Sequence, residues 1–192
     1  LLPRIERFYG SMPDMDVRIQ ASNELVNFAE ENVDLAIRYG GGDYPDLVVE
    51  KLIEEQVFPV CAPSLLEGGG GLRTAEDLLS VTLIHDDSSE EDPSCPTWNM
   101  WLQAAGVTLR NAGRGLHFNQ SNMAIEAAAL GKGVALAKQL IAADDLASGR
   151  LVKPFEEVQP VDFAYFLVAP APQWRQSKVQ SFVDWLKAEA QQ

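Results

Sequence analysis

The chain has 192 residues, 46% of them hydrophobic, and a formal net charge of −13. That length supports a substantial core, in one domain or two small ones, and the acidic balance argues against nucleic-acid binding by this segment, which would need a basic face. No apolar run approaches the roughly 20 residues of a membrane span, and two cysteines, Cys61 in "VFPVCAP" and Cys95 in a polar loop, form no disulfide framework and suggest a reducing compartment.

Residues 1–9 predict a helix with Leu2, Ile5, Phe8 and Tyr9 on one side. The opening "LLPRIERFYG" has no basic leader and is not a signal peptide, so the chain is expected to be a piece of a longer protein. "VRIQA" alternates and predicts a strand. "ELVNFAEENV" predicts a helix, with Ser22 or Asn23 as its N-cap, and "DLAIRY" the next strand. Helix, strand, helix, strand with short connections is the grammar of a parallel α/β sheet with helices on its faces.

"LVVEKLIEEQVFPVCAP" predicts a long strand that could leave the first sheet, and "SLLEGGGGL" a turn of helix with a flexible insert. "TAEDLLS" predicts a small helix capped by Thr74. "VTLIHDD" reads as a strand, "SSEEDPSCP" as an acidic loop and "TWNMWLQAAG" as a helix stopped by Gly106. Beyond it come a strand "GLHFNQ", a helix "SNMAIEAAALGKG" opened by Ser121, and a short strand "VALAK". A helix "QLIAADDLASG" stopped by Gly149, strands "RLVKPF" and "FAYFLVAP", and a final helix with Val179, Phe182, Val183 and Leu186 at helical spacing complete the chain. Two α/β units thus stand in tandem, around residues 1–60 and 62–140, and the last helix is expected to pack back on an earlier sheet.

His85 and His117 stand in apolar strand contexts with no metal-ligand spacing, so no metal and no cofactor are expected. No nucleophile elbow and no phosphate loop occurs. What remains are strand ends, where open parallel sheets bind ligands. The candidates are Ala21, Ser22 and Asn23, then Arg38, Tyr39 and Gly40, then His85 and Asp86, and then Asn119, Gln120, Ser121 and Asn122. Asp86 and Asp87 read most simply as a solvated turn. Ser22 and Ser121 would each head a helix, either as an ordinary N-cap or where free N–H groups favour an anion. Arg38 could reach such a ligand, or pair with Asp34 or Asp43.

"NFAEENVDLAIRYGGGDYPDLVVEKLIEEQVFPVCAPSLL" resembles the first half of the effector-binding domain of LysR-type transcriptional regulators. "FNQSNMAIEAAALGKGVALAKQLIAADDLASGRLVKPF" resembles the second half, and "TWNMWLQAAGV" the subgroup that includes the glycine-cleavage activator and the β-lactamase regulator. The resemblance covers the whole chain in order. It implies an α/β fold of two Rossmann-like subdomains of periplasmic-binding-protein type II, joined by two crossover strands, "EKLIEEQVFPVCAP" and "GRLVKPF". Residues 1–61 and 152–192 would form subdomain I and residues 62–151 subdomain II. A winged helix-turn-helix, a linker helix and a first strand, all expected ahead of Leu1, are not in this sequence.

The resemblance further implies a cytoplasmic, non-catalytic sensor that binds a small effector between the subdomains. That effector is expected to be anionic, an amino acid or organic acid. Matching positions put Ser121 and Tyr165 against it, with Ser22, Asn23, Arg38, Tyr39, Gly40 and Gln120 lining the same site. A homodimer or homotetramer is implied, with DNA met only through the absent N-terminal domain and no membrane partner. Lys138 departs from the family pattern, in which proline commonly follows "vaLa". A free-standing solute-binding protein of the same architecture is the first alternative, and an enzyme on a doubly wound fold the second.

Overall fold

A computed structural model describes residues 4–67, 71–88, 95–108 and 114–191. Most of the "GGGG" insert and of the acidic loop after Ser88 lies outside the described residues. The chain divides into two compact units, Leu1–Glu54 with Phe163–Gln192, and Glu55–Asp162. Both passages between units fall inside long strands, β2 (Val48–Val60) and β6 (Gln159–Ala169).

In the first unit α1 (Ile5–Ser11) is the predicted opening helix, and β1 (Ala36–Gly40) the predicted "DLAIRY" strand. β1 runs antiparallel to β6, with Tyr39 opposite Tyr165 and Gly40 opposite Ala164. The predicted final helix is α7 (Ser177–Ala190), preceded by a short helical turn α6 (Ala171–Trp174). The apolar stripe of α7, Val179, Val183 and Leu186, packs with Leu167 of β6 and with Leu35 and Leu52. Phe8 of α1 is fully buried, with ring centroids 5.0 Å from Phe182 and 5.2 Å from Trp185. Burial of that size contributes about 1.5–3 kcal/mol per side chain.

Two expectations for this unit fail. "VRIQA" forms no strand and pairs with none among the described residues, and its Ile19 is half exposed. "ELVNFAEENV" forms no helix, only a turn near residues 28–30. Local acceptors take the amides a helix would have used. The Asn27 side-chain oxygen accepts from the N–H of Ala29 (3.1 Å), and Glu31 accepts from the N–H of Asn27 (2.8 Å). The would-be apolar face has nothing to cover it, since Leu25 is 71% exposed, and a short helix without packing is marginal in water. The parallel unit expected here is therefore replaced by the antiparallel pairing of β1 with β6.

In the second unit the strand order is β2, β5 (Val134–Lys138), β3 (Leu83–Asp86), β4 (Gly115–Phe118). β5, β3 and β4 are parallel, and β2 is antiparallel to β5. Successive residues serve opposite faces. Ile84 and Ala135 enter a core with Phe58, Ile125 and Ala128, under α4 (Ser121–Ala129) and α5 (Gln139–Ala147). Leu83 and Val134 enter another with Trp98, Trp101 and Phe155, under α3 (Trp98–Ala104). Burial on both faces is why these strands read as continuous apolar runs.

Helix ends follow the sequence closely. Thr97 caps α3 by accepting the Met100 N–H, and the predicted "TAEDLLS" helix is a 3-10 helix over Ala75–Ser80. α4 stops at Gly131, whose φ of 70° is left-handed; the N–H groups of Gly131 and Lys132 bond the carbonyls of Ala128 and Ala127. α2 (Ser64–Glu67) is the predicted short turn after "VCAP".

The "GRLVKPF" segment is not a long strand. It meets Cys61 in an isolated bridge at Val152, and its Leu151 and Phe155 are buried in the two cores of the second unit. Those anchors hold the segment inside that unit, and the return passage is β6. Cys61 and Cys95 are both buried and are not joined in a disulfide.

Candidate functional site

The carboxyl ends of β3 and β5 lie side by side in the second unit, next to the start of α4. Each ends in a charged residue, Asp86 and Lys138. The Lys138 ammonium lies 2.9 Å from the Asp86 carboxylate, and the two side chains are only 8% and 12% exposed. Lys138 also donates to Ser121 Oγ at 2.9 Å and to Ser88 Oγ at 3.1 Å. The two hydroxyls are 3.2 Å apart, and the N–H of Ser88 donates to Asp86 at 3.0 Å. One ammonium, one carboxylate and two hydroxyls thus form one network, in which the lysine reaches three acceptors.

Burial alone would push the Asp86 carboxyl up. The Lys138 charge and the hydrogen bonds from Ser121, Ser88 and Lys138 outweigh it and hold Asp86 below its ordinary value. A second buried carboxylate, Glu55 of β2, is 5% exposed and accepts the N–H groups of Gln56 and Gln139 (2.9 Å each) and Leu140 (3.3 Å). It thereby caps the start of α5, directly after Lys138. Burial raises the Glu55 carboxyl, against the opposing pull of those N–H groups and of the Lys138 charge.

Ser121 is therefore not an N-cap. That place is taken by Gln120, whose carbonyl accepts the N–H groups of Met123 (3.1 Å) and Ala124 (3.3 Å) while its side chain is exposed. The Ser121 hydroxyl turns instead into the Lys138–Asp86 network.

In the first unit the predicted residues fall into two groups. Arg38 donates to the carbonyls of Glu24 (2.7 Å) and Asn23 (3.3 Å), while Asp34 pairs with Lys178 at 2.8 Å. The Arg38 Nε is buried and has no partner among the described residues. Ser22 heads no helix; its Oγ accepts the N–H of Glu24 at 3.0 Å. Arg38 thus braces the segment that carries Ser22 and Asn23. On the other face of β1, the Tyr39 ring lies 5.1 Å from both Phe163 and Tyr165. Gly40 follows, tight against Tyr44, and Gly42 takes a φ of 87° where a Cβ would meet the Phe166 ring at 2.7 Å. So Ser22, Asn23 and Arg38 come together, as do Tyr39 and Tyr165, while Gln120 and Ser121 belong to the other unit.

His85 and His117, opposite one another on β3 and β4, stack with centroids 4.2 Å apart, and Asp87 bonds His117 at 2.9 Å. Burial first, and the His117 charge second, lower the His85 value. Among the described residues no three His, Cys, Asp or Glu side chains converge as a metal site, and no helix is long and apolar enough to cross a membrane.

Mixed α/β, with strands flanked by helices, is the class that these elements define. The model of the family "LysR substrate binding domain" matches residues 1–191, and the chain belongs to that family. It is 39% identical over 190 residues to the glycine cleavage system transcriptional activator of Escherichia coli K12, covering 99% of this chain and 60% of that protein. It is 34% identical to the HTH-type transcriptional activator AmpR of Citrobacter koseri, covering 97% of this chain and 61% of that protein. The chain thus spans about 60% of the length of these relatives. The effector domain of the transcriptional regulator AmpR of Pseudomonas aeruginosa superposes with a TM-score of 0.82 at 32% identity, over 99% of this chain and 88% of that one. The AmpR effector-binding domain of Citrobacter freundii superposes with a TM-score of 0.83 at 28% identity, over 99% of this chain and 90% of that one.

Proposed function

We propose that the chain is the ligand-sensing and oligomerisation part of a cytoplasmic LysR-type transcriptional regulator, and that it performs no catalysis. A small carboxylate-bearing metabolite binds it and shifts its conformational equilibrium, by as much as the ligand's affinity differs between the two states. DNA is met through a segment outside this chain, and the chain self-associates as a dimer or tetramer. The observation that carries the reading is the buried Lys138–Asp86–Ser88–Ser121 network at the carboxyl ends of parallel strands, where α/β sheets take their ligands. Gln120 and Ser121 are the proposed ligand-facing residues of the second unit. Ser22, Asn23, Arg38, Tyr39, Gly40 and Tyr165 are those proposed in the first.

A solute-binding protein of similar architecture is not favoured, because the relatives that match nearly the whole chain are transcriptional activators.

Thermal-shift screening against amino acids and small organic acids tests the reading. A ligand at a hundred times its Kd stabilises by about 2.7 kcal/mol. A ligand that raises the melting temperature of the wild-type chain and not of Ser121→Ala supports it. A panel that leaves the wild-type curve unmoved counts against it.

A further inference from the structure

We propose that Asp86 and Lys138 select a zwitterion, so that the ligand is an α-amino acid, or a molecule ending in one, rather than a simple organic acid. This rests on the ligand-sensing reading above and narrows it. The case is one of charge balance. A site built for a bare carboxylate presents an excess of positive charge. Among the described residues a single ammonium, Lys138, is matched by Asp86 at 2.9 Å and is felt by a second carboxylate, Glu55, on the neighbouring strand. Both carboxylates are buried, so little water screens them from an incoming anion.

A ligand carboxylate that accepts a hydrogen bond from Lys138 weakens the hold of Lys138 on Asp86, and an uncompensated buried charge is strongly unfavourable. An ammonium on the same ligand removes that difficulty by pairing with Asp86. An α-amino acid carries its two charges on one carbon, about as close together as the pair it would meet. The two hydroxyls fit either half, because each donates to a carboxylate or accepts from an ammonium. The ligand would exchange charges with the Asp86–Lys138 pair, with Ser88 and Ser121 as hydrogen-bonding partners on either side.

The test compares binding of α-amino acids with the 2-hydroxy acids of the same carbon skeleton, from glycine and glycolate to glutamate and 2-hydroxyglutarate. Binding is followed by thermal shift and titration calorimetry on the wild-type chain, Asp86→Asn and Lys138→Met. At least one amino acid is expected to bind about ten- to a hundredfold more tightly than its hydroxy acid, the ratio of one charge-assisted hydrogen bond. Asp86→Asn, which keeps the side-chain shape, is expected to bring that ratio close to one. Circular dichroism of each variant separates lost binding from lost folding.

If hydroxy acids bind as well as or better than their amino acids, the zwitterion inference falls and the sensing reading stands. If the preference survives in Asp86→Asn, the assignment to Asp86 is wrong. If neither class binds wild-type protein, the sensing reading at this network falls and the inference falls with it.

Discussion

Replacing Lys138 by methionine removes the ammonium and keeps a flexible apolar side chain of similar length. In the wild-type chain that ammonium is the only positive charge bonded to Asp86 among the described residues, and both side chains are about nine-tenths buried. Breaking such a pair from one side leaves an uncompensated buried charge and costs about 3–5 kcal/mol. At about 2–4 °C per kcal/mol for a chain of this size, melting should fall by roughly 6–20 °C. The pH dependence is diagnostic. In wild type the depressed Asp86 value means that its stabilisation is present above the unfolded carboxylate value and is lost as pH falls through the folded one. Without Lys138 the largest pull against burial is gone, and the Asp86 carboxyl is expected to rise. The penalty in Lys138→Met should be largest near neutral pH and shrink as the pH is lowered and Asp86 takes a proton. Adding Asp86→Asn should recover much of the loss. Urea unfolding followed by circular dichroism, at several pH values, measures all three. A penalty under about 1 kcal/mol, the level of an exposed ion pair, or no recovery in the double variant, refutes the reasoning.

Glu55 is raised by burial, so its effect has the opposite sign: stability falls as pH rises from the unfolded carboxylate value through the folded one. Glu55→Gln should flatten the urea-midpoint profile in that range, and an unchanged profile would show that Glu55 is not the titrating group. Gly42→Ala must adopt a φ of 87° and press a Cβ on the Phe166 ring; a loss of at least about 1–2 kcal/mol is expected in chemical denaturation. Cys61 is fully buried, and its thiol is pushed up to about 11, so iodoacetamide at pH about 8 should label it only after unfolding, as read by mass spectrometry.

Much of the fold is legible locally. The stops at Gly106 and Gly149 and the apolar runs of β3 and β5 are fixed by residues within a few positions of each element. What fails is what depends on distant partners. "VRIQA" has the alternation of a strand but no neighbour to pair with among the described residues. "ELVNFAEENV" has helical spacing, but Asn27 and Glu31 offer its amides closer acceptors and Leu25 finds no cover. β1 pairs antiparallel with β6 across most of the chain's length, a pairing that no local pattern encodes.

The candidate site divides the same way. Ser121 is visible because it follows a strand and opens a helix. Asp86 looks like the polar end of a strand, and Lys138 like a departure from a family pattern. Only the alignment of β3 beside β5 brings these two residues together as a buried pair. The readable signal was a lysine closing the wholly apolar run "VALA", where a charge needs a partner. For Arg38, whose expected partners were a ligand, Asp34 or Asp43, the structure gives backbone carbonyls of Asn23 and Glu24.

The central claim is that ligand meets this chain at the Asp86–Lys138–Ser121 network. Backbone amide NMR of the chain, titrated with the strongest hit of the amino-acid screen, tests it most directly. The largest shift changes are predicted at Ser88, Ser121, Asn122 and Gln139. Changes concentrated instead along the open groove of Arg73–Glu76 and Pro154–Glu157, with Ser88, Ser121 and Gln139 unmoved, would contradict the account.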